Sequence, residues 1–220
     1  MLTPVRHHPW DVSPKGAIAI QEDLASHIDT SDALGDCQSV AGIDVGLGEN
    51  TAQAAVVVLT LPDLEIVERV RAERPLTFPY IPGLLTFREA PVILDALARL
   101  EREPDALIFD GQGYAHPRRM GLATHMGVLL EHPTIGCAKS RLCGTHEEPG
   151  PWRGQYTWLM DEEEIIGAVV RTRTDVNPVF VSIGHRISLQ HAVDLVFRCG
   201  GDYKLPEATR WAHRVASGTA

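Results

Sequence analysis

Asp44 interrupts the apolar run Ala41-Gly42-Ile43-Asp44-Val45, and Asp110 ends the run Leu107-Ile108-Phe109. Burying an unpaired carboxylate is costly, so each aspartate needs a compensating partner. A shared hard cation would serve both, because magnesium takes oxygen ligands, typically one or two carboxylates together with substrate phosphate. The structural alternative is that the two aspartates cap strand ends or bond turn amides. A glycine-containing loop follows each of them, Gly46-Leu47-Gly48 and Gly111-Gln112-Gly113, and two such arrangements in one chain weigh toward a site. Glu89 reads in two ways. Thr86-Phe87-Arg88-Glu89 fits a capping box, in which the glutamate bonds the amide of the N-cap residue, and this structural role is the favoured reading. Glu89 becomes a third carboxylate of the site only if the start of its helix lies beside the two aspartates.

Other chemistries find no support. After Gly46 and Gly48 the third position of a dinucleotide fingerprint is Thr51, and a strand follows rather than a helix. There is no GxxxxGKS/T phosphate loop and no HExxH zinc motif. His116, His125 and His132 lack ligand spacing, and His125 is expected to be an ordinary helix residue. Cys37, Cys137, Cys143 and Cys199 include no CxxC pair. The residues around His7, His8, Pro9 and Asp11 show no signal-peptide pattern, so the cysteines are expected to be reduced thiols in a cytoplasmic protein. The longest apolar run, around residues 54–59, is far too short to span a bilayer, and no membrane partner is expected.

The elements that must position these residues follow from periodicity. Ser13-Pro14 reads as an N-cap and first-turn proline, opening a helix over about 14–29 with Ala17, Ile20, Leu24 and Ile28 at helical spacing. Three strands over 40–45, 52–60 and 64–72, joined by short turns, predict an antiparallel meander. A proline- and glycine-rich loop over 75–83 leads to a helix over about 87–103. Then come a strand over 106–109, a helix over about 120–130, and strands over 134–138, 156–160, 165–173 and 179–183. Helices over about 188–199 and 206–216 close the chain. Three antiparallel strands followed by parallel strands joined by helices give an α/β mixed sheet of the RNase H-like kind, expected as a single domain over 1–220. In such a sheet Asp44 and Asp110 meet at one edge if their strands pair.

The 220 residues carry a net charge of −9, which argues mildly against a nucleic-acid partner. The average is misleading. Between Asp11 and Glu68 there are eleven acidic residues and one basic residue, whereas the remainder of the chain is close to neutral. From Gly111 to His146 four cations (Arg118, Arg119, Lys139 and Arg141) face Glu131 alone. Seventeen of the 20 basic residues are arginine, which suits bidentate phosphate contact, although a solvated face would look the same. Asp161-Glu162-Glu163-Glu164 reads as a solvated turn that would repel polyanions.

Further motifs lie in order along nearly the whole chain, over roughly 14–216. To Ala41-Gly-Ile-Asp-Val45 are added Pro79-Tyr-Ile-Pro-Gly-Leu-Leu85, Phe87-Arg-Glu89, Asp110-Gly-Gln-Gly113 and His116-Pro-Arg118. Pro133-Thr-Ile-Gly136, Ala138-Lys139, Arg141-Leu-Cys-Gly144, Gly184-His-Arg-Ile-Ser188 and Leu205-Pro-Glu-Ala-Thr-Arg210 complete the set. This set resembles the endonuclease V family, the deoxyinosine 3′ endonucleases. The pairing of Pro-Tyr-Ile-Pro-Gly with Phe-Arg-Glu is its most specific part.

The resemblance implies an RNase H-like nuclease dependent on magnesium, with manganese able to substitute. It implies recognition of hypoxanthine from deaminated adenine, and cleavage of the second phosphodiester bond on the 3′ side to leave a 3′-hydroxyl and a 5′-phosphate. Carried over by position, Asp44, Glu89 and Asp110 are the metal-site carboxylates, with Lys139 near the scissile phosphate and His213 a further catalytic residue. Tyr80 matches a strand-separating wedge. Ile81, Pro82, Gly83, Leu85, Gly111, Gly113, His116, Leu122, Gly136, Ala138 and Leu142 match positions in or near the base pocket. Gln112 falls at a variable position. The implied partner is inosine-containing DNA, or inosine-containing RNA, bound by a monomer without an obligate protein partner. The rivals are an inosine-specific ribonuclease, a junction resolvase of the same fold, an actin-like ATPase (for which the chain is too short), and a module that binds inosine without cutting.

Overall fold

The computed structural model describes residues 2–219. Helix α1 (Pro14–Ala25) starts where the sequence places it: Ser13 Oγ accepts from Gly16 N at 3.2 Å, and Pro14 fills the first turn. It ends earlier than expected, at Ala25, where Ser26 turns its hydroxyl back onto the Asp23 carbonyl at 2.9 Å. An irregular stretch then leads into the predicted meander of β1 (Ser39–Leu47), β2 (Thr51–Thr60) and β3 (Ile66–Pro75). Helix α2 (Leu85–Leu97) and strand β4 (Ala106–Phe109) follow, then α3 (Leu122–Leu130) and β5 (Thr134–Ala138). Strands β6 (Tyr156–Asp161), β7 (Glu164–Val170) and β8 (Val179–His185) precede α4 (Leu189–Arg198) and α5 (Glu207–Ala216).

All eight strands form one sheet in the order β3-β2-β1-β4-β5-β8-β7-β6. The strand pairs β1/β2 and β2/β3 are antiparallel, β1/β4 and β4/β5 are parallel, and β5/β8, β8/β7 and β7/β6 are antiparallel. This is the RNase H-like mixed sheet that the element order implied. Alternation along the strands sorts the core into two layers. Ala41, Ile43, Leu107 and Phe109 pack under α2 and α3, while Val40, Ala106, Ile108 and Cys137 pack under α4 and α5.

At Gly42 the backbone of helix α5 lies directly on β1. A Cβ at Gly42 would stand 2.0 Å from the Ala208 carbonyl carbon, so only glycine allows this approach. Asp44, two residues on from Gly42, therefore faces α5 as well.

Other sequence boundaries moved as well. Strand β3 begins after Leu64, which has φ 57, and runs to Pro75 along the sheet edge. Helix α2 stops at Leu97 rather than near 103. Strand β7 stops at Val170, and the Arg171 side chain after it turns inward and donates to the carbonyls of Gly150, Pro149 and Val176. The four cysteines are free thiols. Among the described residues no helix is long and apolar enough to cross a membrane.

Candidate active site

The parallel register of β1 and β4 decides where the two aspartates go. Ile43 pairs with Phe109, and Asp110 N donates to the Ile43 carbonyl at 3.1 Å, so Asp44 and Asp110 leave the carboxyl ends of neighbouring central strands side by side. Ligands of open α/β sheets bind outside those ends. Glu89 reaches the same place from the first turns of α2 and is only 8% exposed.

The favoured capping-box reading of Glu89 is therefore overturned. Thr86 is buried inside the helix, and the N-cap position belongs to Leu84, which makes no side-chain cap bond. Burial pushes the Glu89 carboxyl up to about 8, and the charges of Asp44 and Asp110 add to the shift. Asp110 is also raised, first by burial and then by Asp44, against the opposing pull of Lys139.

Two nitrogen-bearing side chains, Lys139 and His213, stand at this carboxylate set. Lys139, immediately after β5, pairs its Nζ with Asp110 Oδ2. His213 on α5 places Nδ1 2.9 Å from Asp44 Oδ2. The donor set is all oxygen, three carboxyls that burial and mutual repulsion make costly to ionise together, with Lys139 beside them. Such a set fits a hard divalent cation. As the side chains stand, among the described residues no three His, Cys, Asp or Glu groups close around a metal position.

Beside Asp110 opens a cavity of about 320 Å³. Tyr80, Ile81, Pro82, Gly83, Leu85, Asp110, Gly111, His116, Leu122, Ala138, Lys139 and Leu142, all singled out from the sequence, line it. Gly113 and Gly136 do not. They lie behind its floor, where a Cβ at Gly136 would stand 2.3 Å from Gly113 N, and where Gly113 N donates to Ser182 Oγ at 2.9 Å. Thr86, Gln112, Met120, Gly121, Ser140 and Arg141 line the cavity without having been picked out for it. Gln112 donates to the Ser140 carbonyl at 2.8 Å and so ties two lining loops together.

Tyr80 stands at the rim, 69% exposed. The loop behind it is stiff. Leu84 N donates to the Ile81 carbonyl at 3.0 Å, Gly83 takes φ +79, and Arg88 Nη1 donates to the Phe78 carbonyl at 2.8 Å. Pro82-Gly83 thus occupies the centre of a tight turn that needs glycine at its second position. His116 Nε2 lies 3.1 Å from the Gly83 carbonyl, and burial together with the neighbouring Arg118 charge lowers this imidazole to about 4.

The cationic run over 111–146 divides: Lys139 and Arg141 are exposed, whereas Arg118 and Arg119 are taken up by internal partners. Arg118 turns inward to Gly83 and Gln21. Arg119 is held by Asp161 at 2.8 Å and Glu164 at 2.7 Å, so the acidic turn is clamped rather than simply solvated. His125 is likewise more than a plain helix residue. It is fully buried, with Nε2 2.7 Å from His8 Nε2, in a cluster with Trp10 and Phe87.

The family model for endonuclease V matches residues 22–214. An endonuclease V of Roseiflexus sp. (strain RS-1) is 53% identical over 209 residues, spanning 95% of this chain and 94% of its own. The crystal structure of the Streptomyces avermitilis endonuclease V superposes with a TM-score of 0.90 at 38% identity, covering 98% of this chain and 97% of that one. Endonuclease V of Ciona intestinalis, solved in complex with a 24mer DNA containing an inosine followed by a ribo-adenosine, superposes at 0.81 with 27% identity, covering 93% and 96%. On the sequence match and the shared fold together, this chain is a nuclease that belongs to the endonuclease V family.

Proposed function

We propose that the chain recognises hypoxanthine in a nucleic-acid strand and hydrolyses the second phosphodiester bond on its 3′ side, leaving a 3′-hydroxyl and a 5′-phosphate. The carrying observation is the adjacency of a base-sized cavity, rimmed by the exposed Tyr80, to the carboxylates Asp44, Glu89 and Asp110, with Asp110 belonging to both. The Ciona relative, held on inosine-containing DNA, supports the same substrate class.

A modified base cannot be inspected within the stack and must be extruded at a cost of a few kcal/mol. Tyr80, carried on the Pro82-Gly83 turn, fills the vacated space by stacking, worth roughly 1–3 kcal/mol per base. Extrusion delivers the base to the cavity and leaves the strand running past Lys139. Asp44, Asp110 and Glu89 would hold magnesium, for which manganese substitutes, and that cation would supply an activated water and charge stabilisation at the leaving oxygen. Lys139 offsets charge that develops on the phosphate. His213 has Nδ1 committed to Asp44, which leaves Nε2 free to carry a proton at the solvent side of the site. The free thiols support a cytoplasmic setting.

One observation favours a second reading, in which the strand is RNA: the Ciona complex carries a ribo-adenosine after the inosine. End-labelled DNA and RNA strands with one inosine, incubated with and without magnesium, test both readings. A single cut one nucleotide beyond the lesion's 3′ neighbour is expected, requiring magnesium and abolished in Asp110→Asn. Cleavage that survives that substitution overturns the site.

A further inference from the structure

Gln21 is a fully buried polar side chain on the inner face of α1, a position that periodicity assigns to an apolar residue. Every hydrogen-bonding position of its carboxamide that faces the protein is used. Nε2 donates to the Gly83 carbonyl and to the Met120 carbonyl, both at 3.1 Å, and Oε1 accepts from Arg118 Nε at 2.7 Å. Arg118 Nη2 donates to the same Gly83 carbonyl at 2.9 Å, which closes a ring of bonds among Gln21, Gly83 and Arg118. Gly83 belongs to the tight turn that carries Tyr80, and Met120 leads into α3. Both residues line the cavity beside Asp110, whereas Gln21 does not.

One amide behind the cavity therefore joins two segments of its wall that are far apart in sequence. We propose that Gln21 is a positioning residue for base selection, a brace that sets the spacing between the turn bearing Tyr80 and the start of α3. This rests on the reading of the cavity as the base pocket. Only a carboxamide supplies two donors and an acceptor from one rigid plane. Glutamate keeps the acceptor for Arg118 but sets a carboxylate against two carbonyls. Methionine keeps the bulk and leaves the Met120 carbonyl without this donor. Either change lets the two wall segments drift, and a small misplacement in a site built for one geometry is costly.

The test compares kcat/KM of the wild type, Gln21→Met and Gln21→Glu on strands that differ only in carrying inosine or adenine at one position. All are assayed in magnesium, below the melting temperature of each protein. The inosine-over-adenine ratio is expected to fall roughly ten- to a hundredfold in both variants, mainly through KM for the inosine strand. A purely structural residue would lower the fraction of folded enzyme and leave that ratio alone. An unchanged ratio in either folded variant overturns the brace. If Gln21→Met does not fold, Gln21→Glu, which retains its Arg118 partner, decides the matter. A wild type that itself shows no preference for inosine overturns the base-pocket reading and the brace with it. A wild type that prefers inosine, with variants that prefer it equally, overturns the brace alone.

Discussion

His213 Nδ1 stands 2.9 Å from Asp44 Oδ2, across the boundary between α5 and the central strand β1. The contact exists because Gly42 lets the backbone of Ala208 descend onto the strand. Two substitutions separate the contact from its support. Gly42→Ala places a methyl inside the α5 backbone and should cost about 3 kcal/mol or more by overpacking, and cleavage should fall with it. His213→Ala removes a side chain that is 57% exposed and should change stability by no more than ~0.5 kcal/mol. Its cleavage should nonetheless fall roughly a hundredfold, as for loss of a proton-transferring group. Urea unfolding beside single-turnover cleavage checks both. A His213→Ala enzyme that cuts at the wild-type rate would remove His213 from the chemistry.

Glu89 offers a different separation. Its carboxyl is buried beside two aspartates, so its ionised form sits there at an energetic disadvantage that protonation or a bound cation relieves. Glu89→Gln removes the ionisable carboxyl while keeping the shape. In buffer stripped of divalent cations the variant should melt at or above the wild-type temperature. Adding magnesium should raise the wild-type Tm, because a ligand that binds only the folded state stabilises it, and should raise the variant's much less. Cleavage by the variant should be lost. A variant that melts lower than wild type without cation would show Glu89 to be a structural group.

Asp44 and Asp110 were legible in the sequence because each breaks an apolar strand, and strand pairing then puts them together. Glu89 was legible only through the family resemblance of Phe87-Arg-Glu89, because locally Thr86-Phe87-Arg88-Glu89 satisfies a capping rule, and the tertiary approach of α2 to β1 and β4 shows that the rule is unused. Arg118 and Arg119 looked like a surface patch because counting charges ignores partners 45 or 97 residues away. Gln21 did leave a mark: with Ala17 and Leu24 it occupies the buried stripe of α1, where a polar residue needs an explanation. The partnership of His8 with His125 left none, since it depends on where an irregular N-terminal segment comes to rest.

That partnership predicts an acid sensitivity. Burial holds His125 well below its ordinary value, His116 at about 4, and His8 lower than usual. Groups whose folded value is depressed must remain neutral in the native state, while the unfolded chain takes up protons near 6.5. Their contribution is therefore intact above about pH 6.5 and drains away as the pH falls from there toward 4. Melting temperature should decline across that window. Gln at position 125 can still face His8 but cannot titrate, so His125→Gln should flatten part of the decline. A wild-type Tm that is level from pH 7 to 4.5 would contradict the buried neutral imidazoles.

Salt dependence measures how many cations the substrate actually meets. The net charge of −9 and the internal use of Arg118 and Arg119 leave few positive groups at the cavity, and the cationic side chains lining it are Lys139 and Arg141. Each phosphate neutralised on duplex DNA contributes roughly −0.9 to the slope of log K against log salt. Binding of an inosine duplex, measured by anisotropy without divalent cation, should therefore show a shallow slope for a nucleic-acid enzyme. Arg141→Ala should make it shallower by about one unit. Arg119→Ala should weaken binding without reducing the slope, since its guanidinium is spent on Asp161 and Glu164 and its loss uncovers their charge. If Arg119→Ala instead lowers the slope as Arg141→Ala does, the clamp on the acidic turn opens in the complex, and Arg119 contacts the strand after all.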